Sequence, residues 1–397
     1  MNDAQTLNPA GQSPAGPYYF DFNATCPMWP QVVQFLQNAP WGNPSSLHAS
    51  GRTAAAVVHA TAQFILDKLG LAATHRVIFH SGATEGLLTL ILGKLHAEQH
   101  QSGVGAYLLL GGGDHRAIYD LKHNLFLGLP ADHVKSLPLG TQGEFQAETA
   151  LAWMSATQNA PVVLTYTLVN PETGVVWDSA TAAQLKKSVG RRLTIIADAT
   201  QLLGKVPLAP LAPEIDAYVF SGHKFGAMPG TGFSCVRQDL GWDVFLTGAG
   251  QQGGWRGGTE NVAGIASLKI AFEACATIDY ADALKARCFL EDALAKSYPA
   301  TRGPWRLIAP QAPKALNTIS FLDHDPNFLL AYLDQHQIFA SLGSACSASL
   351  AVPSPTLLQM GMGEDEAKQL VRLSFPPLTT ALATEYAQVL AKAWPPV

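Results

Sequence analysis

The chain predicts an α/β fold: a mostly parallel sheet covered by helices on both faces, followed by a second, smaller unit. Three observations carry that expectation. Apolar β-type runs alternate with helical stretches over the first two-thirds of the chain. At 397 residues the chain exceeds the roughly 100 to 200 of one typical domain. Reactive polar residues also fall directly after apolar runs, as in open sheets whose ligands bind beyond the carboxyl ends of the strands.

Taken in order, residues 1–17, rich in Pro, Gly, Asn and Gln, read as a flexible arm. The expected strands are Arg76 to Phe79, Ala106 to Leu110, Val162 to Tyr166, Leu193 to Ala197, Asp216 to Phe220 and Gly232 to Val236. Between them lie helical patterns such as Thr53 to Leu69, where Val57, Val58, Phe64, Ile65 and Leu69 recur near helical spacing. After Asn261 the pattern changes to Ala-rich helices, Ile265 to Ile278 and Tyr280 to Ser297. The expected division is therefore a large unit over 18–260 and a small one over 261–397.

Composition narrows the function classes. Hydrophobic residues at 48% against 14% charged exclude a disordered or coiled-coil chain. A net charge of −5 supplies no broad basic field, so nucleic acid is not an expected partner. The cysteines, Cys26, Cys235, Cys275, Cys288 and Cys346, are scattered and odd in number, without C-x-x-C or H-E-x-x-H, so neither a disulfide framework nor a metal site is expected. The first residues lack a basic start and an apolar core, and no apolar run reaches the roughly 18 residues that span a bilayer. The expectation is a cytoplasmic protein with free thiols and no membrane partner.

Five apolar runs lead into chemistry. Phe79 precedes His80-Ser-Gly-Ala-Thr-Glu85, Leu110 precedes Gly111-Gly-Gly-Asp-His115, Tyr166 leads to Asn170, Ala197 to Asp198-Ala-Thr-Gln201, and Phe220 to Ser221-Gly-His-Lys224. The Ser81 to Gly86 stretch suits a strand-to-helix turn facing a phosphate, although Ser/Thr followed by Glu is equally an ordinary helix start. There is no G-x-x-x-x-G-K-[ST], and Arg116 stands where a dinucleotide fingerprint has its third glycine. That leaves single-phosphate cofactors such as pyridoxal phosphate, which needs a lysine for its aldehyde and an acid for its ring nitrogen. Lys224 and Asp198 fit both needs, while a lysine is by default a solvated surface residue and a buried carboxylate needs a partner. His115 is open to two readings, a hydrogen-bonded core histidine or an imidazole stacked on a ring and moving protons near neutral pH.

These residues resemble the cysteine desulfurases, fold-type-I pyridoxal-phosphate enzymes of the class V aminotransferase group. The resemblance runs from Tyr19 to about Thr380. Tyr19-Phe-Asp-Phe-Asn-Ala-Thr25 is similar to the family's opening strand, and Gly42-Asn-Pro-Ser-Ser-Leu-His48 to its G-N-P-S-S-x-H segment. Gly250-Gln251 through Arg256 and Gly258-Thr-Glu-Asn261 are similar to its glycine-rich loop. Gly343-Ser-Ala-Cys346 is similar to its nucleophile loop, and Val371-Arg-Leu-Ser374 to its substrate-arginine segment. The fold this implies has a large domain with a mostly parallel sheet of the seven-stranded type and a smaller α+β C-terminal domain.

The resemblance also implies roles. Lys224 would hold pyridoxal phosphate covalently, Asp198 would face the pyridine nitrogen, and Gln201 and Asn170 the phenolate side. Ala83, Thr84, Ser221 and His223 would bind the phosphate, with Thr259 from a partner subunit of a homodimer, and His115 would stack on the ring. Arg372 would pair with the substrate carboxylate in a site shared with Asn23 and His48. Cys346 would accept sulfur from L-cysteine as a persulfide, leaving alanine, and pass it to an acceptor or scaffold protein for iron-sulfur cluster assembly or thiolation. Lys224 or His115 would move the α-proton. Without the resemblance, Cys346 reads as a small buried hydrophobe or as the nucleophile of a Gly/Ser-rich loop. The alternatives on the same scaffold are selenocysteine lyase, carbon-sulfur lyase and aminotransferase chemistry; a non-catalytic scaffold is the alternative of another class. The sequence departs from the family pattern at Pro171, where Asn is usual, at Asp114 for Glu, at Thr25-Cys26 for Thr-Thr, and at Pro376-Pro377-Leu378, which removes a second cation near the carboxylate site.

Overall fold

A computed structural model describes residues 18–102, 105–123, 129–343 and 352–395. Seven strands form its central sheet: His75–His80 (β1), Tyr107–Leu110 (β2), Val134–Ser136 (β3), Val162–Thr167 (β4), Leu193–Asp198 (β5), Ala217–Ser221 (β6) and Gly232–Arg237 (β7). In space they run β1-β7-β6-β5-β4-β2-β3. Strand β7 is antiparallel to both neighbours, and the remaining pairs are parallel. All six strands read from the sequence are present. The seventh, β3, escaped that reading because it is a three-residue edge strand with no buried residue to mark a pattern.

Adjacent residues of each inner strand serve opposite cores, as the two-residue period of a strand requires. Leu108, Val163, Ile196 and Val219 pack with Leu87, Leu90 and Ile91 of helix α1 (Ala83–Ser102). Their neighbours Leu109, Leu164, Ile195 and Phe220 pack on the other face with Ile65, Leu69, Ile265 and Leu268. A strand buried on both sides reads as an unbroken apolar run, which is why these segments were legible. Each fully buried aliphatic side chain contributes roughly 1.5–3 kcal/mol, so paired neighbours such as Ile195 and Ile196 hold both helix layers to one strand.

The helix at Ala49–Leu69 begins four residues earlier than its periodicity suggested, because His48 caps it: Nδ1 accepts the Gly51 N–H at 3.2 Å. The helix at Val262–Cys275 contributes to the large core, and the second core draws on Leu290, Leu294, Ile319, Phe321, Leu373 and Tyr386. There the helices Tyr280–Ser297 and Thr380–Lys392 pack on an antiparallel sheet ordered Ser341–Leu342, Leu370–Ser374, Thr318–Leu322, Arg306–Leu307. The start of the described chain is stitched to this second unit. Tyr18–Tyr19 pairs in parallel with Ile338–Phe339, and Phe20 is fully buried in the second core. Residues 21–24 then cross to the carboxyl ends of the central strands. Among the described residues, no helix is long and apolar enough to cross a membrane.

The turn after β2 admits only glycine at its start. A Cβ on Gly111 would lie 2.5 Å from the Thr165 carbonyl oxygen, and Gly112 has φ +88° with its Cβ position 2.3 Å from the Leu137 carbonyl oxygen. This close approach lets Asp114 and His115 follow the strand directly into the site. Gly111→Ala is expected to cost about 1–3 kcal/mol in urea unfolding, through overpacking against rigid backbone.

Candidate active site

The carboxyl ends of β1, β5 and β6 and the turn after β2 border a cavity of about 600 Å³, the size of a cofactor-plus-substrate site. One wall is the turn after β1, where Ser81, Gly82, Ala83 and Thr84 open α1 and its N-terminal N–H groups. Glu85 closes that turn by accepting from the Ser81 N–H at 2.9 Å and from its hydroxyl. Burial opposes its charge, yet Arg256, 2.9 Å away, and Ser81 hold the carboxyl down at about 2. Across the turn stand Ser221, which ends β6, and His223, which follows it. The His223 Nδ1 lies 3.1 Å from the Thr25 hydroxyl, and burial, with Lys224 and Lys205 adding to it, lowers this imidazole to about 4. It is neutral at pH 7. A helix N-terminus, a hydroxyl and a neutral imidazole form a donor set for one phosphate.

Lys224 enters the floor of the cavity, its Nζ donating to the carbonyls of Asn23 and Ala24 at 2.8 Å each. Asp198 ends β5, is buried, and accepts the Thr200 N–H at 2.9 Å. His115 caps the short helix Arg116–Tyr119 through Nδ1, which accepts the Ala117 N–H at 3.2 Å, so the neutral ring carries its proton on Nε2. Burial lowers the His115 pKa, Asp198 raises it and Lys224 lowers it again, which keeps the ring neutral. Beneath it Asp114 accepts from the hydroxyls of Thr165 at 2.8 Å and Thr167 at 3.2 Å.

The second unit supplies the remaining wall. Arg372, 3% exposed, donates from Nη2 to Asp21 at 2.7 Å and Ser341 at 2.8 Å, and from Nη1 to the Pro171 carbonyl at 2.9 Å. Its Nε is buried without a partner. Asn23 spans the seam: its amide donates to the Pro171 carbonyl and the Thr318 hydroxyl, and its side-chain oxygen accepts from Asn317.

Of the residues singled out in the sequence, Ala83, Thr84, His115, Asp198, Gln201, Ser221, His223, Lys224, Asn23 and Arg372 border one cavity. Asn170 does not border it. Its Nδ2 donates to Gly113 and Thr356, and its Oδ1 accepts from Glu172 and Thr173, so the expected cofactor contact gives way to a saturated loop anchor. The cavity wall at that point is Pro171 and Glu172. His48 serves as the helix cap already described, and Thr259 is exposed; neither borders the cavity of the single chain. Cys346 lies outside the described residues.

Among the polar cavity residues to which the sequence reading gave no role are Thr200, Glu172 and Arg116. Thr200 sits within the Asp198-to-Gln201 signal itself, and Glu172 two residues past the asparagine that drew attention instead. Burial raises the Glu172 carboxyl pKa, while the Ser354 and Thr356 hydroxyls and Arg372 lower it. The described cysteines are poor nucleophiles for this cavity. Burial pushes Cys26 up to about 11, with Lys205 opposing, and Cys275 up to about 12, and it raises Cys235 as well. Cys288 is exposed, and none of the four borders the cavity.

The donor set fits pyridoxal phosphate. The phosphate cup stands apart from a buried carboxylate suited to a protonated ring nitrogen, with a lysine in the floor for the aldehyde. The buried Thr200 hydroxyl has no partner, although it borders the cavity, as expected of a group awaiting a bound acceptor or donor.

Burial, against the hydrogen bonds of Thr165 and Thr167 and aided by Asp198, pushes the Asp114 carboxyl up to about 6. The unfolded chain has it near 3.9, about its ordinary value. The folded state then binds the extra proton between those values, so stability from this group is fully present below about pH 4 and is lost as the pH rises through about 6. Denaturant unfolding across pH 4 to 7 should show that loss in the native chain, and Asp114→Asn should remove it.

Similarity to known proteins points the same way. The sequence matches the family described as Aminotransferase class-V over residues 18–382. It is 30% identical over 362 residues to an IscS-like cysteine desulfurase of Mycobacterium tuberculosis, covering 90% of each chain. It is 31% identical over 394 residues to a selenocysteine lyase of Bos taurus, covering 90% of this chain and 88% of that one. The solved structure of a NifS-like protein from Rickettsia africae shares the fold with a TM-score of 0.81, at 24% identity over 95% of this chain and 99% of the other.

Proposed function

Because the chain belongs to the class-V aminotransferase family, whose members work with pyridoxal phosphate, we propose that it is a cysteine desulfurase. In this reading it converts L-cysteine and its own Cys346 thiol into L-alanine and a Cys346 persulfide. The observation that supports it most is a single cavity bordered by Lys224, Asp198 and Arg372. Ala83, Thr84, Ser221 and His223 would hold the phosphate, Lys224 the aldehyde carbon, Asp198 the ring nitrogen, and Gln201 the phenolate oxygen. When bound, the cofactor supplies an electron sink conjugated to the substrate α-carbon.

The chain's own groups do the rest. Arg372 pairs with the substrate carboxylate through the guanidinium that borders the cavity. The Lys224 amine takes the α-proton, and the neutral His115, protonated on Nε2, donates within the site. The Cys346 thiolate attacks the substrate sulfur, so that an S–S bond forms as the Cβ–S bond breaks, and the carbon skeleton takes up protons to leave as alanine. In the same reading the chain works as a cytoplasmic homodimer in which Thr259 completes the partner's phosphate site and the second unit carries the nucleophile loop. Its persulfide goes to an acceptor protein for iron-sulfur cluster assembly or thiolation. The likeness to a selenocysteine lyase supports a second substrate, L-selenocysteine, at the same site.

The test is product analysis on purified protein loaded with pyridoxal phosphate. L-Cysteine should yield alanine and bound sulfur in equal amounts, and Cys346→Ala should lower sulfur release about 10³-fold or more while the cofactor is kept. Pyruvate and ammonia in place of alanine would refute the reading, and turnover of selenocysteine alone would favour the second substrate. Arg372→Lys should lower kcat/KM by roughly 10–100-fold, the worth of a charged hydrogen bond at about 1.5–3 kcal/mol, chiefly through KM.

A further inference from the structure

Behind the cavity wall, in the turn after β5, lies a lysine that the proposed reaction does not use. Lys205 is 5% exposed and does not border the cavity. Its ammonium donates to the Oε1 of Gln201, which is 3% exposed and does border it. The Nε2 of Gln201 donates to the Asn23 carbonyl at 2.9 Å, and that same carbonyl accepts the Lys224 ammonium at 2.8 Å. Lys205 and Lys224 are thus joined through one carboxamide and one backbone oxygen.

The two ends of a carboxamide are not equivalent, and an ammonium can only donate. With Lys205 on its oxygen and a carbonyl on its nitrogen, Gln201 has a single workable orientation. One N–H is spent on Asn23, and the second remains for an acceptor in the cavity. A cation on the amide oxygen also draws charge from the nitrogen and makes each N–H a stronger donor. We infer that Lys205 is a positioning residue for the cofactor: through Gln201 it fixes and strengthens the N–H that meets the phenolate oxygen of pyridoxal phosphate. This rests on the cofactor reading above and adds to it a residue outside the cavity.

The environment makes the effect sensitive to pH. The groups facing Lys205 are the ammonium of Lys224, the guanidinium of Arg372 and the thiols of Cys26 and Cys275. Burial lowers Lys205 to about 7, Lys224 and Arg372 push it the same way, and the two thiols oppose them. As the pH rises through that value the amine becomes neutral, polarisation of Gln201 weakens, and the phenolic oxygen holds its proton more firmly.

The experiment titrates the visible absorbance of the pyridoxal-phosphate holoprotein against pH and measures cofactor dissociation. The variants are Lys205→Met, Lys205→Arg, Gln201→Ala and the Lys205→Met, Gln201→Ala pair. Lys205→Met should raise the apparent pKa of the visible band by about one unit and weaken cofactor affinity about tenfold. Lys205→Arg should restore most of both. On the Gln201→Ala background, Lys205→Met should shift the pKa by no more than about 0.3 unit and the affinity by no more than about twofold, because its route to the cofactor is gone. A Lys205→Met protein with the native band and affinity would overturn the inference, as would equal losses with and without Gln201. If circular dichroism shows Lys205→Met unfolded, Lys205→Gln, which keeps a neutral donor, carries the same cycle. A wild-type protein with no visible band in excess cofactor would instead refute the cofactor reading, an outcome distinct from a band that fails to move.

Discussion

The site depends on placing opposite charges at the ends of strands that are otherwise apolar on both faces. Asp198 terminates a fully buried strand, and Lys224 follows the next one. A carboxylate in that position has lost most of its water, and only a nearby cation or strong donors make its charge tolerable. In the native arrangement the compensation is spread out: the Thr200 N–H on Asp198, and two backbone carbonyls on Lys224. A protonated pyridine held by Asp198 would replace that dispersed compensation with an ion pair, which is the physical reason the cavity suits the cofactor.

Two units build the cavity, and residues 21–24 join them. Asp21 pairs with Arg372 of the second unit, Asn23 binds side chains of that unit, and the Asn23 and Ala24 carbonyls hold the lysine of the first. The segment is anchored because Phe20 is buried in the second core and Tyr18–Tyr19 is paired with Ile338–Phe339. A small displacement between the units therefore moves Arg372 and Lys224 relative to each other. In the proposed reading, that couples the positioning of substrate to the positioning of cofactor.

Much of this was legible in the sequence, for identifiable reasons. The inner strands announce themselves as apolar runs because both faces are covered, and the residues that follow them converge because parallel strands share a carboxyl edge. The edge strand Val134–Ser136 left no such trace. The resemblance implies a cofactor contact at Asn170, but one residue of offset, with Pro171 at the wall, leaves its side chain bonded within the loop. Lys205 left no signal at all: a lysine in a turn reads as solvated, and its burial comes from packing that unites distant segments. The assignment of Cys346 rests on the resemblance of its loop.

The most direct measurement is to load the protein with pyridoxal phosphate, reduce it with borohydride and map the modified peptide by mass. The account predicts a phosphopyridoxyl group on the Nζ of Lys224. Its appearance on Lys205 or a surface lysine, or its absence at saturating cofactor, would contradict the account at its base.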